Sequence, residues 1–206
     1  MAKTSVLLTS LAAAGFALAG VGTAVGQGDA ARGDTLAHTC LGCHGIEGYK
    51  NVYPTYRVPM LGGQSEAYLV IALQGYKDKT RAHATMHAQA ATMSQQDIED
   101  VAAYFAAFGE ARASADTPPK GEAPQAAAQC VACHSENGIS ISPQFPNLAG
   151  QHESYLANSL YQYRNGARQN QIMGGFAAGL SEEDIETLSA FYADQSGLFT
   201  TEDEGQ

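Results

Sequence analysis

The chain repeats itself. Residues 59–86 and 146–173 align without a gap at an offset of 87, pairing Pro59 with Pro146, Gln64 with Gln151, Tyr68 with Tyr155, Tyr76 with Tyr163, Arg81 with Arg168 and Met86 with Met173. The register continues through Ser94/Ser181, Asp97/Asp184 and Ile98/Ile185. A tandem duplication restricts the fold to two copies of one small domain. A unit of that size struggles to bury enough apolar surface alone, so each copy needs a staple such as a metal or cofactor.

Inside each copy the signals are helical. Segments 94–108 and 181–195 open with Ser and carry Asp three places on, a variant of the capping box. Ile98, Val101 and Phe105, and likewise Ile185, Leu188 and Tyr192, recur at three- and four-residue steps and predict one buried face. A second helix is expected from near Gln64 and Gln151, and a short one leading into each cysteine string. No alternating strand pattern competes, so the fold class is all-α. The polar stretch 109–124, with Pro118, Pro119 and Pro124, reads as an extended linker. The expected map is a leader at 1–26, a first domain at 27–112, a linker at 113–122 and a second domain at 123–206.

All four cysteines fall in two matching strings, Cys40-Leu-Gly-Cys43-His44 and Cys130-Val-Ala-Cys133-His134, lying 90 residues apart. Disulfides would suit an oxidising compartment, but nothing in them requires a His after each pair. Zinc sites use paired C-x-x-C elements, yet with shorter gaps than separate Cys43 from Cys130. Covalent haem accounts for every residue. Two thiols at i and i+3 share one side of a helical turn and can bind the two vinyl groups of a porphyrin. The adjacent His then meets the iron through a neutral imidazole. Two haem c groups, held by Cys40, Cys43, Cys130 and Cys133, with His44 and His134 on the irons, follow as the expectation.

The sixth ligand separates an electron carrier from an open catalytic iron. Of Met60, Met86, Met93 and Met173, only Met86 and Met173 are repeat partners, each in what reads as a polar loop before the last helix. They are the expected axial methionines. Met60 lies over Asn147 and Met93 over Leu180, so both read as filler. His83 and His87 have no histidine partners; either could compete for the iron at high pH or in a partly unfolded state, but both read first as solvated loop residues, as His38 and His152 read as surface side chains. Pro59 and Pro146 would suit backbone carbonyls that hold the imidazole N–H groups, or a plain turn of the chain. Arg81, Arg168 and the paired tyrosines suit haem propionates or, equally, helix packing and surface solvation.

The first 27 residues have a basic Lys3, an apolar run from Val6 to about Ala19 and small residues at Ala24 and Gly26, the layout of a cleaved signal peptide. Periplasmic export follows. Removing Lys3 leaves 10 Lys and Arg against 21 Asp and Glu, a net charge of −11. Such a surface excludes nucleic acid as a partner and favours a basic one. No small-molecule substrate, no catalytic residue and no enzyme activity are expected.

The two C-x-x-C-H strings, the "PNLAGQ…YL…L" segment and a Met followed by "GLSEEDIETLSAFY" resemble the dihaem cytochromes c4 over nearly the whole mature chain. The resemblance implies two cytochrome c folds related by a pseudo-twofold, with propionates facing each other across the interface. It implies axial pairs His44/Met86 and His134/Met173. It also implies periplasmic carriers, often in peripheral membrane association, that pass electrons from a respiratory donor to a terminal oxidase. The first copy departs from it in "YPTYRVPMLGGQ", which is three residues longer. The rival function is that of a haem subunit of a flavocytochrome dehydrogenase, or a dihaem peroxidase.

Overall fold

A computed structural model describes residues 28–108 and 111–200. The leader expected at 1–26 lies outside the described residues. The first domain contains α1 (Ala30–His44), α2 (Glu66–Lys77), α3 (Ala84–Ala90) and α4 (Gln95–Ala107). After a 3-10 turn at Gln125–Gln129, the second domain contains α5 (Val131–His134), α6 (Glu153–Asn165), α7 (Gln171–Ala178) and α8 (Glu182–Asp194). Among the described residues there are isolated β-bridges but no strand, and no helix is long and apolar enough to cross a membrane.

The terminal helices of each copy form as their sequences dictate. Ser94 and Ser181 both close complete capping boxes with Asp97 and Asp184. Ile98, Val101 and Phe105 are buried in the first core, and Ile185, Leu188 and Tyr192 in the second. Ala37 and Ala127, equivalent at the 90-residue offset, are both buried against these helices. The copies differ in how the chain approaches the cysteine string. In the first copy a helix of 15 residues crosses α4 so closely that a Cβ on Gly33 would meet the Asp100 carbonyl at 2.0 Å. In the second copy only the 3-10 turn and the four-residue α5 remain.

Arg32 on α1 bonds to both Asp97 and the buried Asp100 on α4, and Glu122 occupies its place in the second copy. Hydrogen bonds from the Ser94 hydroxyl and N–H, then from Arg32, hold the Asp97 carboxyl down at about 2. The depressed folded value means that its stabilising contribution is complete above the ordinary 3.8 and is lost as the pH falls through about 2. Between pH 4 and 2, amide exchange of α1 should therefore accelerate more than that of the 3-10 turn at 125–129. Equal acceleration would count against the Arg32 contact.

The domains are joined by reciprocal contacts. Ala82 N–H donates to the Ala167 carbonyl (2.9 Å) and Gln169 N–H to the Thr80 carbonyl (2.7 Å), an exchange centred on Arg81 and Arg168. The linker is laid against the second domain. Asn137 Nδ2 donates to the carbonyls of Ser114 and Thr117, and the Gln195 amide brackets Lys120.

One strap has no repeat counterpart. Past α8 the chain returns to the first domain, where Gly62 and Phe199 exchange two backbone hydrogen bonds of 3.2 Å. The Phe199 ring is fully buried, and a Cβ on Gly62 would lie 2.6 Å from it. Phe199→Ala should cost about 3 kcal/mol, in the range for emptying a buried aromatic site. Urea unfolding of the haem-loaded protein measures it, and a loss under ~0.5 kcal/mol would show that the strap contributes little.

Candidate cofactor site

The last turn of α1 carries Cys40, Cys43 and His44, and Cys130, Cys133 and His134 sit at the start and along the length of α5. Each set opens on a cavity. The first, of about 900 Å³, is lined by Cys40, Cys43, His44, Pro59 and Met86. The second, of about 360 Å³, is lined by Cys130, Cys133, His134, Pro146 and Met173. Gln64, Tyr68 and Arg81 line both cavities, so the two sites share a wall.

His44 Nδ1 lies 2.8 Å from the Pro59 carbonyl, and His134 Nδ1 lies 3.0 Å from that of Pro146. A carbonyl can only accept, so Nδ1 carries the proton and donates, which leaves each Nε2 lone pair free for a metal. Burial pushes both imidazoles below their usual value, against the pull of the proline carbonyls, and so favours the neutral form a ligand needs. The prolines thus hold the histidines rather than merely turning the chain. The four cysteines are unpaired, and burial raises the Cys40 and Cys130 thiols.

Met86 and Met173 do not lie in loops. Each stands in the first turn of a short helix, α3 or α7, with its backbone N–H capped by His83 Nδ1 (3.2 Å) or Asn170 Oδ1 (3.0 Å). His83 is therefore the counterpart of Asn170 as an N-cap, half-buried and edge-on to Tyr56 and Tyr76, rather than a solvated loop residue. His87 is also engaged, with Nδ1 3.0 Å from the Tyr76 carbonyl. His38 is exposed as expected, whereas His152 is half-buried at the start of α6. Met60 and Met93 line the first cavity together with Met86, and the second cavity has Met173 alone.

Surface solvation does not describe the arginines. Arg81 and Arg168 are 8% and 5% exposed, and their Nη2 atoms both donate to the Tyr155 hydroxyl, at 2.6 and 3.0 Å. Arg81 lies over the Tyr76 ring and Arg168 over that of Tyr163, with centroid distances of 4.5 and 5.0 Å. Neither pairs with a carboxylate among the described residues, and the Nε of each is buried without a partner. Two buried cations beside two cavities call for anions. A porphyrin with two propionates fits this wall, as it fits the free thiols and neutral imidazoles.

Some cavity groups were not singled out by the sequence reading. Tyr192 and Ser189 line the second cavity with buried, unpartnered hydroxyls, where the first copy has Phe105 and Ala102. Tyr192 was legible only as one apolar position of a helical stripe. Gln64 and Gln151 do not begin α2 and α6. They precede the Ser65 and His152 caps and are buried in the domain contact.

Paired thiols with a neutral imidazole in each of two adjoining cavities define a c-type cytochrome with two haems. The family model for cytochrome c matches residues 30–107 and 120–194. Cytochrome c4 of Pseudomonas aeruginosa is 36% identical over 184 residues, covering 82% of this chain and 90% of that protein. The crystal structure of reduced cytochrome c4 from Pseudomonas stutzeri superposes with a TM-score of 0.62 at 33% identity, covering 84% of this chain and all of that one. A thiosulfate dehydrogenase from Marichromatium purpuratum gives a TM-score of 0.63 at 28% identity, covering 81% of this chain and 40% of that one. The chain belongs to the dihaem cytochrome c4 family. It is an electron-transfer cytochrome with two covalent haem c groups on Cys40, Cys43, Cys130 and Cys133.

Proposed function

We propose that this cytochrome is a periplasmic relay, taking electrons from a respiratory donor and passing them to a terminal oxidase or similar acceptor. His44 with Met86, and His134 with Met173, would hold the two irons. The observation that carries the reading is the shared wall: two cavities with equivalent ligand sets abut at Gln64, Tyr68 and Arg81, which suits transfer between them. Each haem, when bound, supplies a one-electron ferric–ferrous couple. The chain's residues do the rest. Pro59 and Pro146 orient the imidazoles, and the caps of α3 and α7 present the thioethers. Arg81 and Arg168 offer buried positive charge to the propionates. A methionine opposite the histidine closes the iron to exogenous ligands, which argues against a peroxidase.

The longer loop of the first copy leaves apolar side chains exposed at the rim of the first cavity. Val52 and Tyr53, which border the first cavity, are 92% and 95% exposed, with Lys50 and Arg57 paired beside them. The likeness to the Marichromatium enzyme favours a second reading of the donor side, in which the donor is a dehydrogenase rather than a respiratory complex.

Cell fractionation with an oxidase assay tests the proposal. The haem-bearing chain should be recovered from the periplasm with its N-terminus at Gln27, and the reduced protein should be oxidised by respiratory membranes in the presence of oxygen. A cytoplasmic chain with its leader intact, or no oxidation by the membranes, would contradict it.

A further inference from the structure

Two buried glutamines, one from each copy, reach across the domain contact. Gln151 of the second domain is 4% exposed; its Oε1 accepts from Met60 N–H and its Nε2 donates to the Met60 carbonyl, both at 3.0 Å. Gln64 of the first domain is 5% exposed; its Oε1 accepts from Asn147 N–H (2.9 Å) and its Nε2 donates to the Asn147 carbonyl (3.0 Å). Each Oε1 also accepts the N–H of its own next residue, Ser65 or His152. Two backbone N–H donors at one end fix which end of each amide is oxygen.

The bonded N–H groups belong to particular peptide units. Met60 N–H is on the same peptide as the Pro59 carbonyl, which accepts from His44 Nδ1 at 2.8 Å. Asn147 N–H is on the same peptide as the Pro146 carbonyl, which accepts from His134 Nδ1 at 3.0 Å. One peptide thus stands between each haem-side histidine and a glutamine of the other domain. A peptide whose N–H is held by a strong acceptor is polarised, and its carbonyl accepts a further hydrogen bond more strongly. A stronger acceptor on Nδ1 makes the imidazole a more basic metal ligand.

We infer that Gln151 tunes the haem of the first domain and Gln64 the haem of the second, each acting in trans through the peptide that holds the opposite domain's histidine. The glutamines are positioning residues, since neither touches the iron. A more basic imidazole favours the ferric state, so each glutamine lowers the potential of the other domain's haem. Domain contact and redox tuning are then one structure, and a separated domain would carry a haem at altered potential. The inference rests on His44 and His134 being iron ligands.

The grips are not quite equal. Asn147 adds side-chain bonds of its own, from Nδ2 to the Gly63 carbonyl and from Ser140 N–H to Oδ1, and Met60 has no such groups. Each peptide N–H is nevertheless bonded by its glutamine, and the extra bonds of Asn147 only add to the anchoring of its segment.

The test is a potentiometric titration of the full haem-loaded protein carrying Gln151→Leu or Gln64→Leu, with the two waves assigned through Met86→Ala and Met173→Ala. Gln151→Leu should raise the potential of the first-domain haem and leave the other in place, and Gln64→Leu should do the reverse. Gln151→Asn and Gln64→Asn, which keep the amide but shorten its reach, should give smaller shifts of the same crossed pattern and cover the case where leucine prevents folding. Shifts confined to the substituted domain, equal shifts of both haems, or none would overturn the inference. Failure of the histidine reading shows separately: the unsubstituted ferric protein would then lack the paramagnetically shifted ring-proton resonances of an iron-bound imidazole.

Discussion

Met173→Ala is expected to open the second haem to carbon monoxide and lower its potential, leaving the first haem at its original value. A thioether opposite the histidine favours the ferrous iron and occupies its sixth position. Alanine can do neither. The second cavity gives the sharper experiment because Met173 is its only lining methionine. In the first cavity Met60 and Met93 stand beside Met86, so Met86→Ala leaves two other thioethers among the lining groups. Carbon monoxide spectra and a redox titration check the result. A Met173→Ala protein that keeps both potentials and refuses carbon monoxide would show that another group ligates the iron.

The larger effect on stability is expected from Cys130→Ala/Cys133→Ala, which removes the covalent tether of the second haem. Loss of that haem empties a cavity of about 360 Å³. At ~24 cal/mol per Å³ of unfilled volume this is on the order of 9 kcal/mol, an upper figure because the cavity opens to solvent. Whole domains are stable by only ~5–15 kcal/mol. The second domain should therefore unfold at ambient temperature when that haem is extracted. The first should weaken with it, since Phe199 and the Gln151 clasp both come from the second domain. Far-UV circular dichroism with haem quantification follows both. Unchanged helicity and melting in the extracted double variant would mean that the haem is not the core of the domain.

Features carried by a few neighbouring residues were legible in the sequence. The cysteine strings, the Ser–Asp capping boxes and the stripe of Ile98, Val101 and Phe105 are local patterns, and the duplication doubled each signal. The short helices α3 and α7 were not, because Gly174 and Gly175 dilute one and a histidine caps the other. Asn170, a favoured N-cap residue at the position equivalent to His83, was the available clue. Arg81, Arg168, Gln64 and Gln151 showed as matched pairs, but Arg81, Gln64 and Gln151 find their hydrogen-bond partners in the opposite copy, and Arg168 shares Tyr155 with the Arg81 that crosses to it. Their roles follow from how the copies dock, which no single repeat encodes. The Phe199 strap has no repeat partner and gave no signal at all.

An optical redox titration of the mature protein, with haem per chain quantified in the same sample, tests the central claim most directly. Two low-spin haems per chain are expected, both at positive potential and both unreactive toward carbon monoxide. One haem per chain, or one at low potential that binds carbon monoxide readily, would contradict it and would identify an open or bis-histidine site suited to an enzyme.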